Sequence, residues 1–268
     1  MGAVRSVLTI AGSDPSGGAG IQADLKTYAA LGVYGMAAVT ALTAQNTMGV
    51  AGVHEVPPDF VALQIDTVFA DITPDAVKTG MLSNAAIIGV VARKARQHAF
   101  RNLVVDPVIV AKSGDRLLRE DAVRALREEL IPAAHVLTPN LPEASDILGR
   151  PVATLDEMRE AARALHALGA ANVVIKGGHQ ESDTVTDILF DGERFHDFAC
   201  SRVVTKNTHG TGCTFASAIA AYLALGDTVP AAVRKAKEYL TEALRHSYDF
   251  GHGHGPVHHF WKLWEEER

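Results

Sequence analysis

Short apolar runs alternate with longer segments of helical periodicity along most of the chain. The short runs are almost continuously apolar, which is typical of parallel strands covered on both faces. In the longer segments, apolar residues recur every three or four positions, most clearly in residues 155–168. We therefore predict an α/β chain built around a mainly parallel sheet.

The predicted elements follow from these two patterns. The strands are expected at residues 6–11, 36–42, 76–79, 103–105, 136–137 and 173–175. The helices are expected at residues 20–31, 58–70, 84–99, 120–130, 155–168, 212–225 and 230–248. Residues 185–190 and 194–198 indicate an antiparallel hairpin, which adds edge strands to the sheet. No linker, repeat or compositional break divides the chain, so residues 1–268 are predicted to form one domain.

Composition narrows the class of protein. The chain has 268 residues, of which 47% are hydrophobic, and a formal net charge of −6. This mild acidity, without a long run of Lys or Arg, argues against a nucleic-acid partner. The most apolar helical segment, residues 215–225, is shorter than the roughly 20 residues that a membrane span needs. The only cysteines, Cys200 and Cys213, form no C-x-x-C pair and suit a reducing, cytoplasmic location.

Polar residues follow most of the predicted parallel strands. Ligands of such sheets bind in the crevice beyond the carboxyl ends of the strands. Beyond those ends lie Asp14, Gln45, Asp106, Asn140 and Lys176, and Lys78 lies within the segment 76–79. The pattern predicts a site that is assembled from several loops.

The glycine-rich segment GSDPSGGAGIQAD, residues 12–24, follows the first predicted strand. Residues 18–23 fit the loose dinucleotide pattern G-x-G-x-x-A, but the next strand ends without the expected carboxylate. Residues 13–17 also lengthen the turn that this fingerprint requires. Two interpretations remain: a flexible connection with glycines at positive φ, or a loop that closes on a small organic substrate.

The segment NTHGTGCT, residues 207–214, opens directly into an apolar helix. Unpaired N–H groups and the helix dipole make such a turn an anion pocket that a phosphate can approach closely. Cys213 lies where the dipole favours the thiolate over the thiol. The structural alternative is a capped helix start in which the cysteine is a small buried side chain.

Three other features leave alternatives open. Asn140 and Glu143 form either a helix capping box or part of a magnesium site. Lys176 is either a surface lysine or a phosphate clamp. The histidines near the C-terminus lack companion Cys, Asp or Glu ligands, so a docked tail is favoured over a zinc site. The histidines are His252, His254, His258 and His259, and the expected aromatic anchors are Phe260, Trp261 and Trp264.

Taken together, the motifs resemble the hydroxymethylpyrimidine/phosphomethylpyrimidine kinases of thiamine biosynthesis. The resemblance spans nearly the whole chain in order. It rests on residues 11–26, 79–81, 106–108, 112–114, 138–144, 176–179, 207–213 and 255–260. This family is part of the ribokinase-like superfamily, which implies a single three-layer α/β/α domain with a mainly parallel sheet and antiparallel edge strands. It also implies ATP, Mg²⁺ and a homodimer.

The resemblance assigns roles to particular residues. The glycine loop is expected to pack against the pyrimidine, and Gln45 to read its aminopyrimidine edge. The implied pyrimidine pocket consists of Gly12, Ala19, Thr43, Gln45, Met81 and Val108. The implied ATP phosphate contacts are Thr208, Gly210, Thr211, Gly212 and Lys176, and the implied magnesium shell is Asp106, Asn140 and Glu143. Cys213 stands where the sugar kinases of the superfamily carry the aspartate base.

The implied activity is ATP-dependent phosphorylation of 4-amino-5-hydroxymethyl-2-methylpyrimidine, and then of its monophosphate to the diphosphate. The expected partners are therefore this small pyrimidine alcohol and its monophosphate, with no nucleic acid or membrane. Pyridoxal kinase activity is the nearest enzymatic alternative. A catalytically silent pyrimidine-binding regulator is the alternative from another class.

Overall fold

The computed structural model describes residues 4–109, 118, 120–179 and 182–264. The motif at residues 112–114 lies outside this part of the chain. In the part of the chain that the structure describes, nine strands form one sheet. They are β1 (Ser6–Ser13), β2 (Tyr34–Gln45), β3 (Val50–Glu55), β4 (Ala76–Thr79), β5 (Leu103–Val105), β6 (Val136–Leu137), β7 (Asn172–Ile175), β8 (Thr184–Phe190) and β9 (Phe195–Ser201).

The sheet has the strand order β3-β2-β1-β4-β5-β6-β7-β8-β9. Neighbours from β2 to β7 are parallel, whereas β3, β8 and β9 pair antiparallel. The chain moves outwards from β1 to β2 and then returns to the other side of β1 with β4. The carboxyl ends of β1 and β4 therefore flank the point where the strand order reverses, which is where a ligand crevice forms.

Helices cover both faces of the sheet. They are α1 (Gly20–Ala30), α2 (Pro58–Phe69), α3 (Ala85–Gln97), α4 (Glu120–Ala125), α5 (Leu141–Leu148), α6 (Leu155–Ala167), α7 (Thr211–Ala224) and α8 (Val229–Arg245). Side chains along a strand alternate between the two faces of the sheet, so the core has two parts. Leu8 and Ile10 pack with α2–α6 on one face, whereas Val7 packs with α1, α7 and α8 on the other. The predicted three-layer α/β/α architecture is confirmed.

The main departure from the predicted elements lies at one edge of the sheet. The second strand is longer than predicted and includes Gln45 as its last residue. It turns through residues 46–49 into β3, for which the apolar pattern gave no prediction. Most of β3 is exposed, so it lacks the continuous apolar run that marks the central strands. The predicted hairpin of β8 and β9 is confirmed at the opposite edge.

A buried ion pair joins the central strands to the helices on one face. Lys78 Nζ lies 2.9 Å from both carboxylate oxygens of Asp24, and neither side chain is exposed. The same carboxylate accepts hydrogen bonds of 2.6 Å from the hydroxyls of Thr9 and Ser217. Burial alone would lower the pKa of Lys78, but Asp24, together with the smaller effects of other nearby groups, outweighs burial and raises it. One carboxylate thus connects β1, β4, α1 and α7.

The first prediction concerns this ion pair. Lys78→Met should lower the free energy of unfolding by about 3–5 kcal/mol, because it leaves Asp24 buried without its countercharge. The double variant Lys78→Met/Asp24→Asn should recover part of that loss, since no charge then remains buried. Urea unfolding measures both values.

The half-exposed pair of Lys94 and Asp66 is the matched control for this prediction, because its Nζ–Oδ2 distance is 2.6 Å but Asp66 is 37% exposed. Lys94→Met should cost about 1 kcal/mol or less. Equal losses for Lys78→Met and Lys94→Met would contradict the central role of the buried pair.

Candidate active site

The crevice lies beyond the ends of β1 and β4, where two of the predicted pyrimidine contacts meet. Gly12 is near the end of β1, and Met81 follows β4. A Cβ atom on Gly12 would lie 3.3 Å from the Sδ atom of Met81, so these two residues are adjacent. The structure therefore brings together residues from two separate strand ends, as expected for a site at a strand-order reversal.

Asp14 orders the glycine loop, residues 13–20. Its carboxylate accepts hydrogen bonds from the backbone N–H groups of Ser16 (2.9 Å) and Ala19 (2.8 Å) and from the Ser16 hydroxyl (2.7 Å). Burial alone would raise the pKa of Asp14, but hydrogen bonds from His209 and Ser16 lower it to about 2. The loop is thus fixed by one buried carboxylate, which argues against an unconstrained connection.

The second glycine turn, residues 207–212, packs directly on the first. A Cβ atom on Gly210, which has a φ of 79°, would overlap the carbonyl oxygen of Gly18. A Cβ atom on Gly18 would overlap the ring of His209. His209 Nε2 lies 2.7 Å from Asp14 Oδ2, and both side chains are buried. Glycine is required at both positions because the two turns touch.

The other predicted pyrimidine contacts lie around the same strand ends. Thr43 and Gln45 occupy alternate positions of β2 and therefore share one face. The Thr43 hydroxyl lies 2.9 Å from the Ser13 carbonyl oxygen and 3.1 Å from Gln45 Oε1. Ala19 in the glycine loop and Val108 after β5 are half-buried. The polar end of Gln45 is thus held beside the first glycine loop.

Lys176 lies between two carboxylates near the start of α7. Its Nζ atom is 2.8 Å from Asp106 Oδ1 and 3.7 Å from Glu143 Oε2, and its side chain is only 13% exposed. A Cβ atom on Gly212 would lie 3.5 Å from Lys176 Nζ and 3.7 Å from Asp106 Oδ2. Lys176 is therefore not a surface lysine. It joins the carboxylates to the first turn of α7.

This cluster holds more carboxyl groups than cations. Burial raises the pKa of Glu143 to about 7, with Lys176 opposing the shift and Asp106 adding to it. Burial disfavours charge on Lys176, but Asp106 and Glu143 outweigh it and raise the pKa of the ammonium group. The cluster therefore has carboxylate oxygens to offer to a cation.

Among the described residues, no three or more His, Cys, Asp or Glu side chains gather into a metal-binding group. Asp106 and Glu143 would supply the protein ligands of a divalent ion. Two carboxylates fit Mg²⁺, which keeps several waters and takes phosphate oxygens as further ligands. They do not make a cage for a metal that needs a complete protein shell.

Asn140 and Glu143 also form the capping box that the sequence left open. Glu143 N donates to Asn140 Oδ1 (2.9 Å), and Asn140 N donates to Glu143 Oε2 (2.8 Å). The box fixes the start of α5 and the orientation of the Glu143 carboxylate towards Lys176. The capping interpretation is thus correct, and it leaves Glu143 within the charged cluster.

Cys213 is the third residue of α7 and is half-buried. Burial raises the pKa of its thiol to about 11, with Lys78 opposing the shift and the carboxylates of Asp24 and Asp106 adding to it. The expectation that this position favours the thiolate is therefore wrong. Burial and the carboxylates of Asp24 and Asp106 outweigh Lys78, which favours the thiolate.

The sequence does not predict two of the contacts near the site, Asp14 with His209 and Lys78 with Asp24. It marks Asp14 and Lys78 only as polar residues in or after strands. Their partners, His209 and Asp24, lie 195 and 54 positions away in the sequence. The available signal was a charged residue within an otherwise buried segment, which demands a partner without saying which one.

Of the three predicted aromatic anchors, Trp261 docks the C-terminal tail: it stacks on His246, which follows α8, with ring centroids 5.6 Å apart. Phe260 and Trp264 stack on each other within the tail, at 5.8 Å. Burial lowers the pKa of His259 to about 3, so its ring is neutral near pH 7. These contacts favour a packed tail over a zinc site. Within the described ranges, no helix combines the length and apolar character of a membrane span.

An anion pocket at a helix start, beside a buried lysine and two carboxylates, is the arrangement of a ribokinase-like α/β/α phosphotransferase. The chain belongs to the phosphomethylpyrimidine kinase family, whose family model matches residues 14–258. It is 50% identical to the hydroxymethylpyrimidine/phosphomethylpyrimidine kinase of Bacillus subtilis, with 96% of this chain and 95% of that protein covered. The Escherichia coli enzyme of the same name is 48% identical, with 97% and 98% covered.

The thiamine biosynthesis bifunctional protein of Geobacter sulfurreducens is 57% identical over 95% of this chain, which spans only 52% of that longer relative. Among solved structures, an ADP complex of Bacillus subtilis pyridoxal kinase matches with a TM-score of 0.91 and 42% identity, covering 97% of this chain and all of that one. Phosphomethylpyrimidine kinase from Clostridium difficile matches with a TM-score of 0.80 and 44% identity, covering 90% and 99%. The expected ribokinase-like fold and kinase class are confirmed.

The second prediction concerns Asp14. Its pKa of about 2 lies below the ordinary value of 3.8, so its stabilising effect is complete above pH 4 and is lost as the pH falls towards 2. Asp14→Asn should therefore lower the free energy of unfolding by about 2 kcal/mol at pH 6, and the difference from wild type should shrink in acid.

Chemical unfolding at pH 6, 4 and 3 measures this difference. Asp71→Asn is the control, since Asp71 is exposed and should show no comparable pH-dependent loss. A constant difference between Asp14→Asn and wild type across this range would contradict the assigned role of the Asp14 carboxylate.

Proposed function

We propose that this chain phosphorylates 4-amino-5-hydroxymethyl-2-methylpyrimidine with ATP and then converts the monophosphate to the diphosphate. The observation that carries the proposal is the position of Lys176 and Asp106 against Gly212, at the start of α7 and beside the two touching glycine loops. A phosphoryl group held there would lie near a crevice lined by Gly12 and Met81. Family membership and the names of the relatives support the same activity.

The pyrimidine is proposed to bind at the ends of β1, β2 and β4. Gly12, Met81, Ala19 and Val108 would supply close, mostly apolar contacts with the ring. Gln45 would pair with the aminopyrimidine edge, because its amide both donates and accepts hydrogen bonds. The contact of Thr43 with Gln45 Oε1 would orient that amide.

The nucleotide phosphates are proposed to bind the turn of residues 208–212, through the N–H groups of Gly210 and Gly212 and the hydroxyls of Thr208 and Thr211, together with the ammonium group of Lys176. Thr208, Gly210, Thr211 and Gly212 are the residues of this turn. Lys176 is already within reach of the helix start and would balance negative charge that develops during transfer. Asp106 and Glu143, with Asn140 fixing the orientation of Glu143, would hold Mg²⁺. The metal would neutralise phosphate charge there.

Cys213 is proposed to accept the proton of the hydroxymethyl group. The thiol would first lose its own proton to solvent, since Lys176 and a cation held by Asp106 and Glu143 would balance the charge of the thiolate and the phosphates. The alcohol oxygen then attacks the γ-phosphorus, the bond to the β-phosphate oxygen breaks, and the alcohol proton passes to the thiolate sulfur as ADP leaves. In a loose transition state this proton is lost late, which suits a weak base. The monophosphate attacks through an oxygen that is already anionic, so the second step needs no such base.

We further propose that two copies of this single-domain chain associate through the β2–β3 edge. Several exposed large apolar side chains lie close together in the sequence there. They are Leu42, Met48, Val53, Phe60 and Leu63. Strand β3 also ends the sheet, and unpaired edge strands are usually covered.

Pyridoxal kinase activity is the second candidate, because the pyridoxal kinases of Bacillus subtilis and Staphylococcus aureus both match this chain with a TM-score of 0.91. Purified protein with ATP and Mg²⁺ should be offered the pyrimidine alcohol, its monophosphate and pyridoxal in parallel. Faster turnover of both pyrimidines is expected. Preference for pyridoxal would support the second candidate, and pyrimidine binding without turnover would indicate a silent binding protein.

The third prediction separates the two phosphorylations. Cys213→Ala should lower kcat for the alcohol by about 10²–10⁴-fold, because proton removal is lost, whereas kcat for the monophosphate should change less than about tenfold. Both KM values should stay near those of wild type. Product formation in each step is measured separately.

Cys200→Ala is the matched control, since Cys200 is the other half-buried cysteine and lies in β9. Both of its kcat values should stay at the wild-type level. If Cys213→Ala phosphorylates the alcohol at the normal rate, or loses both steps equally, Cys213 is not the base.

The fourth prediction concerns association. Wild-type protein should sediment as a dimer, and Phe60→Glu/Leu63→Glu should shift it towards the monomer, because two carboxylates would be buried at the interface. Leu225→Glu, at an exposed apolar position beyond α7, should leave the dimer intact. Analytical ultracentrifugation makes the comparison. A monomeric wild type, or an unaffected Phe60→Glu/Leu63→Glu variant, would refute the proposed interface.

A further inference from the structure

The segment 251–259 of the tail runs from the β2–β3 turn, residues 46–49, to the second glycine turn, residues 207–212, called the phosphate turn below. At its first end it contacts Thr47, which lies in the turn after Gln45. Gly253 N donates to the Thr47 hydroxyl (3.2 Å), and His254 N donates to the Thr47 carbonyl oxygen (2.9 Å). The tail therefore holds the hairpin two residues beyond the side chain that is proposed to read the pyrimidine.

The middle of the segment contacts the phosphate turn. His209 N donates to the Gly255 carbonyl oxygen (3.0 Å), and His254 Nδ1 lies 3.0 Å from the Lys206 carbonyl oxygen. A short parallel bridge pairs His209 with Pro256. The ring of His209 in turn contacts Asp14, so the tail bears on both glycine loops.

The far end of the segment reaches the helix that carries Cys213. His259 Nε2 lies 3.1 Å from the hydroxyl of Thr214, and both side chains are buried. The His259 carbonyl oxygen accepts a hydrogen bond of 2.7 Å from the Tyr239 hydroxyl in α8. Both ends of the segment are thus fixed, one on the hairpin and one on the first turn of α7.

We propose that residues 251–259 form a positioning strap, which holds the pyrimidine-reading hairpin at a set distance from the phosphate turn. Thr47 and Gly253 are its positioning residues: they act on the substrate through Gln45 and do not touch it. The inference rests on the proposed function, because it takes Gln45 as the pyrimidine contact. It gives a role to a histidine- and glycine-rich tail whose described contacts are those of a packed segment.

The contact at Gly253 leaves no room for a side chain. A Cβ atom there would overlap the Thr47 carbonyl oxygen and lie 2.9 Å from the Met48 Cα atom. These neighbours are backbone atoms, which cannot move aside as the end of a flexible side chain can. Gly253→Ala must therefore push the strap and the hairpin apart. Gly52, on β3 of the same hairpin, supplies the control, because a Cβ atom added there would have no neighbouring atom within 4 Å.

Steady-state kinetics of Gly253→Ala and Gly52→Ala test the inference. Gly253→Ala should raise KM for the pyrimidine alcohol about tenfold or more, since small displacements of substrate-positioning groups are costly. Its KM for ATP should stay within about twofold of wild type. Gly52→Ala should change neither value. A normal pyrimidine KM in Gly253→Ala, or equal rises in both KM values, would overturn the strap.

Variants of Thr47 guard against simple misfolding of Gly253→Ala. Thr47→Ser keeps the hydroxyl and should behave as wild type, whereas Thr47→Val should raise only the pyrimidine KM.

In a Gln45→Leu background, Gly253→Ala should add little further loss, because its effect passes through Gln45. Full additivity would refute this route. Absence of turnover in wild type would refute the proposed function instead, so the two failures are distinguishable.

Discussion

The buried pair of Lys78 and Asp24 is the interaction on which the geometry of the site depends. Through Thr9 and Ser217, the Asp24 carboxylate connects two neighbouring strands to α1 and α7. These strands are β1 and β4, which flank the crevice. The glycine loop follows one of them, and the first turn of α7 closes the other side. Because a buried charge without its partner is costly, these four elements keep one relative arrangement.

The same pair sets the charge balance beneath the proposed base. Cys213 lies one helical turn before Ser217, which bonds to Asp24. Lys78 lowers the pKa of the Cys213 thiol, and Lys176 also interacts with the charge of the thiolate. The carboxylates of Asp24 and Asp106 act in the opposite direction and raise the pKa of the Cys213 thiol. The carboxylates and burial prevail, so the pKa of the thiol is raised. A cation held by Asp106 and Glu143 would oppose this effect of the carboxylates and favour the thiolate.

The sequence predicts the central strands and most helices well, because their apolar patterns report burial directly. Strand β3 escapes prediction because its place in the sheet depends on a partner edge, not on its own composition. Long-range pairs escape for a related reason. Asp14 must have a partner, yet nothing local to it identifies His209, 195 residues away. The prediction for the pKa of Cys213 is wrong for the same reason. A helix start can be recognised from the sequence, but the carboxylates that surround the thiol cannot.

In the proposed site, the two touching glycine turns would let one crevice serve two successive acceptors. Strand β2 would recognise the ring, whereas the backbone around Gly210 and Gly212, together with Lys176, would bind the phosphates. Backbone N–H groups and a lysine bind phosphate oxygens without requiring one particular geometry of the attacking group. An alcohol oxygen and a phosphate oxygen can therefore both be placed against the same γ-phosphate. What differs between them is the proton: the alcohol must lose one, which is the proposed task of Cys213, whereas the phosphate oxygen is already anionic.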